Sequence, residues 1–246
     1  MYDGSWKGRM GRFRSDFAFR GVSDKGYELK NRFLRNCGQE IKLEYNLLRN
    51  FRKYAKMSNE SFSSDWRVMT IGQHYGLPTR LMDWTYSPFV AAHFATSRFE
   101  KYDKDGAIWM VDFVKAKSLL PDNLKSELQK AGSNTFTVEM LENVIPSLAD
   151  FESLSNKQQT LFFEPPSIDE RIGNQYALFS IMSEATIVMD QWLLENPELY
   201  QRIIIPKELK WEVRDKLDQA NINERLLFPG LDGLASWLRR QYFPRK

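Results

Sequence analysis

The segment 66–95, WRVMTIGQHYGLPTRLMDWTYSPFVAAHFA, constrains this chain more than any other. It gathers His, Tyr, Thr, Arg, Asp and Trp into one short run and then passes directly into an apolar stretch. Gly76, Pro78 and Pro88 divide it into pieces too short for ordinary core elements. That punctuation predicts polar side chains on a strand end and loop, where binding and catalytic groups concentrate. A buried, hydrogen-bonded corner is the structural alternative, because buried Trp and Arg need polar partners wherever they occur.

The flanking sequence supplies a scaffold. DFAFRGV (16–22) alternates apolar and polar residues and stops at a glycine, which predicts a short strand with Arg20 as its one internal charge. Ile41, Tyr45, Leu48, Phe51 and Ala55 recur at helical spacing. Ser87 and Pro88 form a helix start, with Phe89, Val90, Ala92 and Phe94 as its apolar body. AIWMVDF (107–113) reads as a core strand, and residues 116–160 as acidic helix ended by Pro165 and Pro166. RIGNQYALFSIM (171–182) has strand-like alternation with Gln175 embedded in it, and QRIIIP (201–206) is an apolar strand. A helix follows with Leu209, Val213, Leu217 and Ala220 on one face. LLFPG (226–230) reads as a short strand and turn, and a last helix places Leu231, Leu234, Ala235 and Leu238 together. Short strands interspersed with helices, without strict alternation, predict an α+β fold.

At 246 residues the chain is long enough for one domain with a sizeable core, spanning 1–246 with a loosely ordered basic arm over 1–15. That arm carries Lys7, Arg9, Arg12 and Arg14. A single cysteine, Cys37, excludes an internal disulfide and fits a reducing cytoplasm. The N-terminus has no apolar signal-peptide core, and no run approaches the ~20 apolar residues of a membrane span, so a soluble cytoplasmic protein is expected. Net charge is only +3, but it is unevenly placed. Residues 30–56 hold eight Lys/Arg against two acids, while 121–170 hold nine acids against three lysines. The basic block permits a nucleic-acid face or an acidic partner, and a solvated helix face explains it equally well.

The chain has no GxGxxG and no GxxxxGK[ST] phosphate loop. His74 and His93 stand nineteen residues apart without HExxH or CxxC, so no metal site is expected. His74 and Asp83 leave a hydrolase open in principle, without the support of a GxSxG elbow.

FRGVSD (19–24), QHYGLPTRLMDWTYSP (73–88) and LLFPGLDGLA (226–235) resemble the FRG domain family, named for its Phe-Arg-Gly motif. The likeness runs from about Asp16 to the C-terminal helix. A more distant likeness is to ADP-ribosyltransferases of the arginine-serine-glutamate type. There an Arg ends a strand, as in Phe19-Arg20-Gly21, and a Ser-Thr-Ser strand end precedes a helix. Asp83-Trp84-Thr85, Pro88 and the run AAHFA (91–95) are similar to that second element. The family's Glu on a later strand has Gln175 in its place here, with Glu170 or Glu164 just upstream as the other sources of an acid.

This resemblance implies a split β-sheet core with peripheral helices and an NAD-dependent ADP-ribosyl transfer. It also implies a bacterial toxin of a toxin–antitoxin or phage-defence system, with an antitoxin masking the site. Transfer from NAD proceeds through an oxocarbenium-like transition state. Arg20, flanked by Phe19 and Gly21, suits the pyrophosphate or ribose oxygens, since its planar fork binds them with defined geometry. Tyr75, Thr79, Arg80, Trp84 and Thr85 are the further candidates for holding NAD, with Tyr75 or Trp84 stacking on nicotinamide. Gln175, Glu170, His74 and Asp83 compete for the catalytic polar role. The basic block favours a nucleic-acid acceptor, RNA over DNA. A non-catalytic nucleic-acid- or protein-binding module and an NAD glycohydrolase are the alternatives. Arg20 paired with Asp83, and Arg80 in a buried ion pair, are the structural readings of the two arginines.

Overall fold

The computed structural model describes residues 5–7, 11–55, 62–154 and 158–244. Its first elements, β1 (Ser5–Lys7) and β2 (Arg12–Arg14), pair antiparallel with each other. Residues 5–7 and 12–14 of the basic arm thus satisfy backbone groups on each other. Residues 1–4 and 8–10 lie outside the described residues, Arg9 among them.

The other strands are β3 (Phe17–Val22), β4 (Met82–Thr85), β5 (Gly106–Asp112), β6 (Phe136–Thr137), β7 (Thr160–Glu164), β8 (Ala177–Met182) and β9 (Tyr200–Ile205). They form one sheet in the order β6-β7-β8-β4-β3-β5-β9, antiparallel except at β6-β7. The helices are α1 (Arg32–Cys37), α2 (Lys42–Tyr54), α3 (Asp65–His74), α4 (Pro88–Thr96), α5 (Phe113–Lys117), α6 (Asp122–Ala131) and α7 (Val138–Val144). After them come α8 (Leu148–Ser153), α9 (Glu170–Asn174), α10 (Met189–Glu195), α11 (Lys210–Gln219), α12 (Glu224–Leu227) and α13 (Leu231–Gln241). The fold is α+β. No helix of the described residues is long and apolar enough to cross a membrane.

The sheet is divided in its middle. β3 pairs with β5 along its whole length and β4 pairs with β8 along its own, but β3 and β4 meet only at Phe19↔Thr85. Alternation of side chains sends residues to opposite faces. On one face Ala18, Val22, Met82, Trp84 and Trp109 pack with Met189, Trp192 and Leu193 of α10. On the other, Phe19, Ile108 and Met110 meet Ala91 and Ala95 of α4. Under β7 and β8, Phe163, Phe179 and Ile181 join Trp66 and Met69 of α3 and Phe151 of α8.

Gly21 explains how α4 can lie so close. A Cβ there would fall 1.8 Å from the Ala91 carbonyl oxygen, so only glycine lets helix and strand backbones touch. The Ser87 side chain caps α4 through the Val90 N–H, with Pro88 in the first turn, as expected. Its buried face, however, is Val90, Ala91, His93 and Ala95, while Phe89 is 58% exposed. Alanines occupy 91 and 95, the positions against Gly21, because the approach there leaves no room for large side chains.

Other expectations are corrected by context. Residues 65–74 form α3 rather than loop: Ser64 caps it and Trp66, Val68, Met69 and Ile71 bury it. Gly76, at φ 89°, lies just beyond the helix end. Residues 171–182 divide into α9, capped by Asp169, and β8, with Tyr176 at positive φ between them. Gln175 is thus the C-cap of a helix and not a strand residue. The described part of 116–160 carries α6, α7 and α8 besides β6, and β7 begins at Thr160. Asn223 caps α12 where a strand was expected. The face of α11 that is buried carries Lys210, Arg214 and Leu217, and α13 buries Gly233 and Arg240 while Leu231 is 82% exposed. Charge networks decide these faces. Lys210 bonds the carbonyls of Ser23 and Lys101, Arg214 bonds His93 and Glu224, and Arg240 bonds Asp218 and Glu224. Periodicity of apolar residues carries no sign of them.

Replacing Gly21 by Ala should lower the unfolding free energy by about 3 kcal/mol or more, the upper end for overpacking, because backbone and not a flexible side chain must yield. Urea denaturation compared with a Gly173→Ala control, a position with open space around it and no positive φ, checks this.

Candidate functional site

Where β3 and β4 part, a cleft of about 760 Å³ opens in the sheet. Phe19, Arg20 and Gly21 come to it from β3, and Asp83, Trp84 and Thr85 from β4. The end of α3 contributes Gln73, His74, Tyr75 and Gly76, and α9 contributes Arg171, Ile172 and Gln175. Arg32 and Arg35 of α1 and Arg98 after α4 complete the basic side.

Arg20 is half-buried, and one of its terminal nitrogens donates to the Asp83 backbone carbonyl. Its Nε has no protein partner among the described residues. The Asp83 carboxylate is held instead by Gln73, whose Nε2 lies 3.1 Å from both oxygens. Thr79 orients that amide by donating to Gln73 Oε1 at 2.7 Å. The expected Arg20–Asp83 ion pair is thus a side-chain-to-backbone bond, and each group keeps capacity for a ligand. Burial pulls the Arg20 pKa down, the Asp83 charge opposes this, and Arg35 adds to it. Burial also lowers Arg35, with Arg32 and Arg98 pressing the same way against Asp83. Arginine stays protonated regardless, so the shifts report crowding of like charge.

Thr85 ties β4 to α9. Its hydroxyl donates to the Gln175 carbonyl at 2.7 Å and accepts from the Ser87 N–H at 3.0 Å. The Gln175 amide donates to the Leu227 carbonyl at 2.8 Å, leaving Oε1 as an acceptor. Asn174 bonds Leu226 in the same way, so α9 is stapled to α12. Since Phe19 pairs with Thr85 and Thr85 with Ala177, β3 and β8 lie about two strand spacings, ~10 Å, apart, and Arg20 and Gln175 line the one cleft between them.

Not every candidate from the sequence reaches it. Thr79 and Arg80 are fully buried and lie outside the cleft lining. Arg80 pairs with Glu44 and Glu152, each at 2.6 Å, which is the structural reading of that residue. Trp84 belongs to the lining but is only 3% exposed, its indole N–H on Ser180 and its ring against Phe162, so the ring offers no stacking surface. Tyr75 does, at 64% exposure. His74 pairs through Nε2 with Asp169 at 2.8 Å, so no His74–Asp83 dyad forms. Glu170 is exposed on α9 and outside the lining, and Glu164 bonds Tyr86 and Thr135. Asp83 is accordingly the one carboxylate lining the cleft among the described residues.

The sequence patterns did not single out Gln73, Arg98 or Arg171 for this site. Arg32 and Arg35 stood only as members of the basic block; their spacing of three on a helix was the available signal. Among the described residues no group of His, Cys, Asp or Glu is arranged to hold a metal ion.

Residues 15–104 match the model of the FRG domain. The match covers β3, β4 and α1 to α4, and hence most of the cleft lining, while α9 and the segment 226–235 lie outside it. No curated protein and no solved structure matches the chain. Within the FRG motif the three residues have separate tasks. Phe19 is core, Arg20 faces the cleft, and Gly21 admits α4.

The two arginines of the central segments are separable by experiment. Arg80→Met should cost about 3–5 kcal/mol of stability, because Glu44 is left buried and uncompensated. Arg20→Met should cost little stability but reduce binding of inorganic pyrophosphate at least tenfold. Urea melts and titration calorimetry on both variants check the contrast.

Proposed function

We propose that the chain is an NAD-dependent ADP-ribosyltransferase, and that its core is the split sheet of that class. The observation that carries the reading is the convergence of Arg20, Thr85 and Gln175 on one cleft at the division between β3 and β4. These are the residues at which the sequence is similar to the arginine, serine and glutamate elements of the transferases. In this reading Arg20 grips the pyrophosphate through the donors it does not spend on Asp83. The Gln175 Oε1 accepts from a ribose hydroxyl. Thr85, whose hydroxyl is already used twice, is a positioning residue that holds β4 and α9 in register.

The bond between nicotinamide and the ribose C1 breaks with its electron pair moving to the pyridinium ring, which leaves as neutral nicotinamide. The resulting oxocarbenium carbon is attacked by the acceptor, and the acceptor's proton passes to a base. Asp83 is assigned that base, as the one carboxylate lining the cleft among the described residues, fixed by Gln73 and Thr79. The departure from the family's Glu is then made good from a different strand. The cationic lining favours a nucleic-acid acceptor, RNA over DNA, and a toxin of a toxin–antitoxin or phage-defence system follows from the resemblance, with an antitoxin covering the cleft.

Incubation with labelled NAD and total RNA, DNA or protein tests this. Label should enter nucleic acid, fall about 10–100-fold with Arg20→Ala, and fall about 10²–10⁴-fold with Asp83→Asn at unchanged stability. Nicotinamide release without labelled acceptor would make the protein a glycohydrolase. Folded protein that consumes no NAD would sink the reading and leave a binding module.

A further inference from the structure

Five arginines, Arg20, Arg32, Arg35, Arg98 and Arg171, line the cleft, and Asp83 is the single carboxylate facing them. Among the described residues none of the five forms an ion pair. Elsewhere Arg52, Arg67, Arg80, Arg214 and Arg240 each meet a carboxylate, while Arg49, Arg202, Arg225 and Arg239 form no ion pair among the described residues; what sets the cleft apart is five such arginines in one lining. Gathering unpaired guanidinium groups costs Coulomb energy, and a fold keeps such a cluster where a polyanion neutralises it.

The number exceeds what one dinucleotide needs. Five positive charges less the one of Asp83 leave +4, and a pyrophosphate supplies two negative charges, so two remain. Their placement also divides. Arg20 is half-buried at the division of the sheet, whereas Arg32, Arg35 and Arg98 are exposed. Arg32 and Arg35 stand one helical turn apart, and the Arg32 guanidinium donates to the Gly76 carbonyl at 3.1 Å, which brings α1 beside Tyr75. The Tyr75 ring is 64% exposed there. A row of unpaired arginines beside an open aromatic ring is the chemistry that holds single-stranded nucleic acid, phosphates on guanidinium and a base on the ring.

We infer that Arg32, Arg35 and Arg98 form a phosphate subsite, with Tyr75 as its stacking platform, that binds the backbone of a single-stranded nucleic acid at the mouth of the cleft. Assigning that strand as the acceptor rests on the transfer reading; the binding itself does not. The inference also relocates the basic block. Its first part, on α1, faces the cleft, while Arg49 and Lys53 of α2 are not in the lining and Arg52 is paired with Asp65.

Fluorescence anisotropy of a labelled single-stranded oligoribonucleotide, measured without NAD over a salt series, tests the subsite. The wild type should bind. Each of Arg32→Gln, Arg35→Gln and Arg98→Gln should weaken binding and reduce the slope of log K against log salt by about 0.7. Tyr75→Ala should weaken binding severalfold or more without changing that slope, and Arg49→Gln with Lys53→Gln should leave it as it is. These surface changes are checked for native melting curves, and Arg35→Lys should restore the slope that Arg35→Gln loses. No binding by the wild type would overturn the inference, as would an unaltered slope in the triple glutamine variant. Loss confined to the α2 variant, or a duplex bound as tightly as the single strand, would also overturn it. Because NAD is absent, failure here leaves the transfer reading standing, and a protein inert toward NAD that binds RNA through these arginines leaves the subsite standing.

Discussion

The approach of α4 to β3 at Gly21 is the constraint on which the rest of this structure depends. With the Ala91 carbonyl lying where a side chain would begin, helix and strand backbones are in direct contact, and the alanines of α4 seal one face of β3. β3 is thereby committed to β5 and α4, and it shares only Phe19↔Thr85 with β4. A sheet joined at one residue pair has room between its halves. The cleft is a consequence of that division.

Backbone groups left open at such a division require partners, and they find them in side chains rather than in a ladder. Arg20 caps the Asp83 carbonyl, and Thr85 caps the Gln175 carbonyl. The same bonds that satisfy the gap therefore place an arginine, a carboxylate and an amide around it. Behind them Arg80, with Glu44 and Glu152, draws α2 and α8 against the strand that carries Asp83. A buried pair of this kind contributes a definite geometry more surely than it contributes net stability.

The electrostatic pattern of the chain follows the same boundary. Away from the cleft, the buried arginines are balanced by acids, as in the Arg214, Glu224, Arg240 and Asp218 network and the Arg80 pair with Glu44. Around the cleft they are not. The local field there is positive and set in a partly enclosed wall, which concentrates it and draws anions toward the half-buried Arg20. In the proposed function, phosphate is recognised by the whole rim, whereas the chemistry rests on the few groups at its floor.

Much of the scaffold was legible in the residues alone. The alternation in 17–22, the apolar runs of β5 and β9, the spacing in α2 and the Ser87-Pro88 start of α4 are local signals, set by neighbours a few positions away. The grouping of polar residues over 73–88 likewise falls at the cleft, and Arg20, His74, Tyr75, Asp83, Thr85 and Gln175 all line it. What the tertiary structure alone decided is the fate of each side chain within that group. Arg80 is consumed by Glu44, 36 residues away, and Trp84 turns to Ser180, 96 residues away. Gln175 reaches the cleft from a helix end because Thr85 holds it there across 90 residues, and Arg98 and Arg171 join from segments with no shared pattern. Local sequence sets backbone conformation through short-range sterics and capping, but the partner of a buried charge is chosen by contacts that exist only once distant segments have packed.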